Sequence, residues 1–190
     1  MKMFRPLFVA AAALLAVHTA PATTVVPPDF DELVDEAETI FQGTCLEARS
    51  QWVGEGTERH IVTFVTFRVD EVLKGQPGAT YTLRMMGGTV DGTTMEVSDA
   101  PKFKPGNRDI LFVEHNGQQF IPLVGIMHGR YKIERDQTTG QESVLTNYGS
   151  AVSDVRSLGK DERETARAVG KAMAPGQFKA AIKAKLDNRN

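Results

Sequence analysis

The sequence predicts a mainly β domain, a sandwich or a closed barrel, with a helix before it and a helical tail after it. Three observations carry this. Short runs of alternating apolar and polar residues recur along the chain and end at glycine. Two hairpin-type turns, Asp91-Gly92 and Asn116-Gly117, join such runs. No strand–helix–strand alternation appears, so a parallel sheet is not expected.

The elements follow in order. Pro27-Pro28 breaks the extended, β-branched Thr23–Val26 segment. Asp29 with Glu32 three residues on makes a capping box, and Phe30, Leu33, Val34 and Ala37 give the helix one apolar face. Thr39 to Ala48 is a mixed apolar run whose Gly43 suggests a bend or bulge. Val53 to Glu58 is a loop. His60 to Leu73 is the strongest strand signal, nearly all β-branched or aromatic, and long enough to require coiling. Thr80 to Met86 alternates as a strand, and Gly88–Val90 pairs with Thr93–Val97 across Asp91-Gly92. Asp109 to Glu114 is a core strand, and Gln119 to Val124 is expected to return from the Asn116-Gly117 turn. Gly125 to Gly129 is a bend. A last hairpin takes Gly129–Glu134 and Glu142–Leu145. Tyr148 to Val155 is a linker, and Arg156 to Ala174 is partly helical at best. Pro175 opens a final helix with Phe178, Ala181, Ile182 and Leu186 on one stripe. Val65, Phe67, Val69, Leu83, Leu111 and Val113 are the expected core.

Size and composition suit one globular domain. The chain has 190 residues, 41% of them hydrophobic and 24% charged, so it can bury a core without staples. The first residues form a three-part leader. Lys2 and Arg5 flank a basic start, Leu7 to Val17 is uncharged and too short to span a bilayer, and Ala20 and Ala22 offer small residues to a peptidase. Residues 1–22 are therefore expected to be removed, with a β domain over 23–147 and a linker and tail over 148–190. Losing Lys2 and Arg5 takes the formal net charge from −2 to −4. A mildly acidic chain has no long-range pull on phosphate backbones, so nucleic acid is not an expected partner. Cys45 is the only cysteine; it cannot form an internal disulfide and lies in an apolar run, where burial is expected. Such a chain suits a bacterial periplasm or secretion.

No motif carries chemistry. After leader removal the histidines are His60, His115 and His128, with no HExxH or similar ligand spacing, so neither metal nor cofactor is expected. There is no GxSxG elbow, and Cys45 has no evident activating charge. Asp70 and Glu71 point to opposite faces of a strand. Gly87-Gly88 opens no helix and cannot cradle phosphate. Trp52, the lone tryptophan, lies beside a Gly-rich loop and serves either packing or contact.

The order helix, Ala37-Glu38-Thr39-Ile40-Phe41-Gln42-Gly43, then Phe67-Arg68-Val69-Asp70-Glu71-Val72-Leu73-Lys74-Gly75, then Pro105-Gly106 before Ile110-Leu111-Phe112-Val113 resembles the netrin-like domain of tissue inhibitors of metalloproteinases, and exported bacterial proteins of that style. The resemblance covers roughly Thr23 to Leu145. It implies an OB-like Greek-key barrel that makes contacts at its N-terminal end. In the animal inhibitors a first, disulfide-locked Cys chelates the protease zinc. Here the expected first residue is Thr23 and no second cysteine exists, so the resemblance implies fold and contact without that chelation.

The sequence thus points to an exported, non-catalytic binding module for another exported protein, such as a peptidase or envelope protein. Thr23, Thr24, Val25, Val26 and Trp52 are the candidate contacts, and no residue is assigned to catalysis. The alternatives are a hydrolase with a dispersed site drawn from His60, His115 or His128 and an acid, and a structural envelope component assembled through the C-terminal helix. Mass spectrometry of the exported protein is expected to find Thr23 at its N-terminus; an intact Met1 overturns the leader assignment.

Overall fold

The computed structural model describes residues 26–160 and 171–188. The expected leader, Thr23 to Val25 and the middle of the 156–174 stretch lie outside the described residues. Helix α1 spans Phe30–Glu36 and forms because both ends are satisfied. The Asp29 carboxylate accepts from Glu32 N–H, and the Glu32 carboxylate accepts from Asp29 N–H, each at 2.8 Å. At the other end Lys74 Nζ donates to the carbonyls of Val34 and Asp35, placing a cation on the negative helix terminus.

Strands β1 (Thr39–Val53) and β2 (His60–Lys74) make one long hairpin. β1 continues beyond Ala48 because its pairing with β2 runs out to Val53 opposite His60. The register shifts at three points, one of them at Gln42/Gly43, where the sequence anticipates a bulge. A Cβ at Gly43 would stand 2.9 Å from both the Arg68 carbonyl oxygen and the Phe41 ring. β3 is Thr80–Met86, β6 is Arg108–Val113, β7 is Arg130–Arg135 and β8 is Glu142–Thr146. They join β1 and β2 in a six-stranded antiparallel sheet ordered β3-β2-β1-β6-β7-β8. β4 (Gly88–Val90) and β5 (Thr93–Met95) form a separate hairpin across Asp91-Gly92. Helix α2 spans Pro175–Asp187.

The fold is mainly β with two helices, but the expected closed barrel is not found: β3 and β8 end the sheet and do not pair with each other. The expected return strand over Gln119–Val124 is also absent. Only Leu123 bridges back to Val113. Pro122 has no N–H to donate to a ladder. His115 turns at φ +45°, and the segment leaves β6 for the open edge of β3. There Asn116 accepts from Arg84 N–H at 3.0 Å and donates to the Thr82 carbonyl at 2.8 Å, while Met86 N–H donates to the Phe120 carbonyl. The opposite edge is covered too: Val144 N–H donates to the Met173 carbonyl, and the Val144 carbonyl accepts from Val152 N–H. Side-chain and loop bonds thus cover sheet edges without a closing strand.

The core lies on both faces of the sheet. Ile40, Ile110, Phe112, Tyr131 and Val144 pack with Leu33 and Val34 of α1 and Phe178 and Ile182 of α2. Phe41, Phe67, Leu83, Leu111 and Val113 form the second cluster. Of the six expected core residues, Val65, Phe67, Leu83, Leu111 and Val113 are buried. Val69 is half-buried, because it lies just past Arg68–Thr80, the last β2–β3 pair. The C-terminal helix, set apart as a tail by its sequence, is part of the core. The Phe178 ring lies 4.8 Å from Tyr131, and Lys179 and Lys183 both donate to the Glu71 carboxylate on β2. Among the described residues no helix is long and apolar enough to cross a membrane.

Phe67→Ala is expected to cost about 3 to 5 kcal/mol in denaturant unfolding, the range for a large core truncation; a loss under about 1 kcal/mol would contradict the face assignment. Glu71 makes an acid-side prediction. Hydrogen bonds from Lys179 and then Lys183 hold its carboxyl below the ordinary value of 4.5. Its contribution is therefore present above that value and is lost as pH falls through the lowered one. Because Glu71 is one-third exposed, the contribution is small, about 1 kcal/mol or less. Glu71→Gln should lower stability at pH 7, and its melting temperature should fall less than the parent's between pH 5 and pH 3.

Candidate functional site

The site begins at the bend between Gly125 and Gly129. Ile126 sits at φ +63°, a costly conformation for a β-branched residue. It is held by its own N–H donating to the Leu123 carbonyl and by His128 N–H donating to the Gly125 carbonyl. Pro28 closes over Gly125, where a Cβ would meet its ring at 2.8 Å. At Gly129 a Cβ would stand 2.7 Å from the Phe112 carbonyl oxygen, so the chain runs flush against β6. The bend thus delivers Met127 and His128 to an open cleft of about 310 Å³. Pro27 and Pro28, Tyr131 and Tyr148 line it as well, with Ser157 and Lys160 also contributing. The His128 ring stands edge-on to Tyr148 at 6.4 Å.

A second cleft, of about 380 Å³, shares Asn147 and Tyr148 with the first and is lined by Arg130 and Lys132. Two successive same-face positions of β7 supply these cations, in register with Leu111 and Asp109 of β6. Arg130 is buried. Its Nε donates to Asp109 Oδ1 at 2.8 Å, and its Nη1 donates to the Lys102 carbonyl and to Asn147 Oδ1. The guanidinium also lies 4.2 Å from the Phe103 ring centre, a cation–π contact. Asp109 is fully buried, and its Oδ2 has no hydrogen-bond partner among the described residues. Burial raises the Asp109 carboxyl above the ordinary range, against the lowering effect of Arg130. Burial also raises the Cys45 thiol, helped by the Asp109 charge, so this cysteine is a poor nucleophile as well as a buried one.

The other sequence-predicted contacts fall apart in space. Val26 is 80% exposed, lies outside any strand and leads into Pro27 at the first cleft. Trp52 lines neither cleft; it is half-buried near the end of β1 with the Arg59 guanidinium 4.3 Å from its ring centre. The histidines have separate surroundings. His60 Nδ1 meets the Glu58 carbonyl, His115 Nδ1 meets Gln119, and His128 faces Tyr148. His115 has two acids nearby, Glu114 at 3.6 Å and Glu38 at 3.9 Å, but no second histidine joins them. Among the described residues no group of three or more His, Cys, Asp and Glu is arranged to hold a metal. The Arg130–Asp109 pair and Tyr148 escape sequence reasoning. The available signal was a charged residue near the start of each of two apolar strands, at Asp109 and Arg130.

The chain matches no family model and no curated protein sequence.

Proposed function

We propose that this protein is an exported, non-catalytic binding module that receives a segment of another exported protein in the cleft beside Pro27-Pro28. The observation that carries it is the cleft's composition: two prolines, two tyrosines, a histidine and a methionine around about 310 Å³, at the point where the N-terminal segment meets the domain. Aromatic and proline walls offer rigid apolar area at little entropic cost. Val26, exposed and unpaired with any strand, supports Thr23–Val26 as a contact arm. The resemblance to netrin-like inhibitors supports contact at the same end. The buried apolar stripe of α2 weighs against assembly through that helix.

The test is a photo-crosslinking amino acid at Tyr148 in the full chain, expressed in the exporting cell, with the same amino acid at Arg135 as control. A discrete protein adduct at Tyr148 alone is expected, and deletion of Thr23–Val26 should abolish it while the melting temperature stays within a few degrees. An adduct of equal strength at both positions, or none at Tyr148, overturns the proposal.

A further inference from the structure

We infer that the first cleft takes a proline-rich segment in the extended polyproline II conformation, an inference that rests on the reading just proposed and names the chemistry of the captured segment. The first ground is an unpaired donor. Tyr131 is 3% exposed and lines the cleft, yet its hydroxyl has no hydrogen-bond partner among the described residues. Burial pushes the pKa of this phenol up, so it stays protonated and has a proton to give. The hydroxyl is not sealed from solvent either: among the described residues the fully buried side-chain atom that lacks a partner is Asp109 Oδ2. A second donor lines the same cleft. Asn147 gives its Oδ1 to Arg130, which leaves its Nδ2 to donate.

The second ground is what these donors call for. A peptide carbonyl is the neutral acceptor that satisfies them. An ordinary peptide carbonyl comes with an N–H that needs an acceptor of its own, and no Asp or Glu lines this cleft. Proline brings the carbonyl without the N–H. In polyproline II the backbone makes no internal hydrogen bonds, so its carbonyls stay available. The third ground is the wall. Pro27, Pro28, Met127 and Leu158 supply apolar surface, and the half-exposed Tyr148 stands edge-on to His128. Proline rings pack on such aromatic walls, and a segment already extended loses little freedom on docking. Lys160, the cation in the lining, already faces Asp154, so a segment without charge fits.

The experiment is a titration of the ¹⁵N-labelled protein, purified from the exporting cell and followed by amide chemical shifts. The probes are acetyl-hexaproline amide and an acetylated, amidated peptide of alternating serine and glycine of the same length. The proline peptide is expected to give saturable shifts at His128, Asn147 and Tyr148, and the serine–glycine peptide should bind at least about ten-fold more weakly. Tyr131→Phe keeps the ring and removes the donor. It should weaken the proline peptide about five-fold while melting no lower than the parent, because the hydroxyl has no partner to lose within the fold. Absence of saturable shifts with the proline peptide, equal binding of the two peptides, or unaltered binding to Tyr131→Phe overturns the inference. So does a lower melting temperature for Tyr131→Phe, which would show the hydroxyl to be spent on the fold. A Tyr148 adduct that forms alongside any of those results would leave the partner site standing while the proline assignment falls. Saturable, Tyr131-dependent proline binding without a Tyr148 adduct would do the reverse.

Discussion

The structure depends on a strand with no wet face. Ile110, Leu111, Phe112 and Val113 of β6 are all fully buried. Ile110 and Phe112 enter the helix-covered cluster, while Leu111 and Val113 enter the other. A strand's side chains alternate between faces, so a continuous apolar run requires cover on both. That demand is met by the two helices on one side and by loop residues such as Phe103, Ile121 and Leu123 on the other. β1 meets the same demand next door, with Ile40 in one cluster and Phe41 in the other. Small register shifts in β1 let one strand serve both the β2 and β6 pairings.

The same strand carries an expensive exception. Asp109, one residue before the apolar run, is buried beside Arg130. Taking both charges out of water costs several kcal/mol each, and their attraction returns it only with full hydrogen bonding. Arg130 is well supplied, with two carbonyl-type acceptors and an aromatic face besides its carboxylate. Asp109 is not, since one oxygen lacks a partner among the described residues. A pair of this kind does more for geometry than for stability. It fixes the Lys102 carbonyl, Asn147 and Phe103 around one guanidinium, and so sets the wall between the two clefts.

Much of the fold was legible because local rules and tertiary needs agreed. The capping box at Asp29 and Glu32, the alternation of Thr80–Met86, the Asp91-Gly92 hairpin and the Pro175 helix start all appear where the sequence puts them. The failures have a common cause. Asn116-Gly117 has the local chemistry of a hairpin, but the edge of β3 offers the Asn116 side chain two backbone partners that no local rule contains. The narrow stripe of α2 looked like a tail because its partners, Tyr131 and Phe112, lie far back along the chain. The candidate site was the least legible part. Of its sequence-predicted contacts among the described residues, Val26 leads into it and Trp52 does not line it, and its cations are recognisable only once β6 and β7 are in register.

The position of α2 bears on when the protein can fold. Phe178 and Ile182 complete a cluster begun by Leu33 and Val34, and Lys185 pairs with Asp31 at 2.7 Å, so the last helix rests on the first. That cluster cannot close until α2 has followed the strands out of the ribosome, and contacts so far apart in the chain form slowly. For a polypeptide threaded through a translocation channel, as the proposed export requires, late closure keeps the chain slack while it is still in transit. In that setting α2 is the piece whose arrival would close the cluster opened by α1.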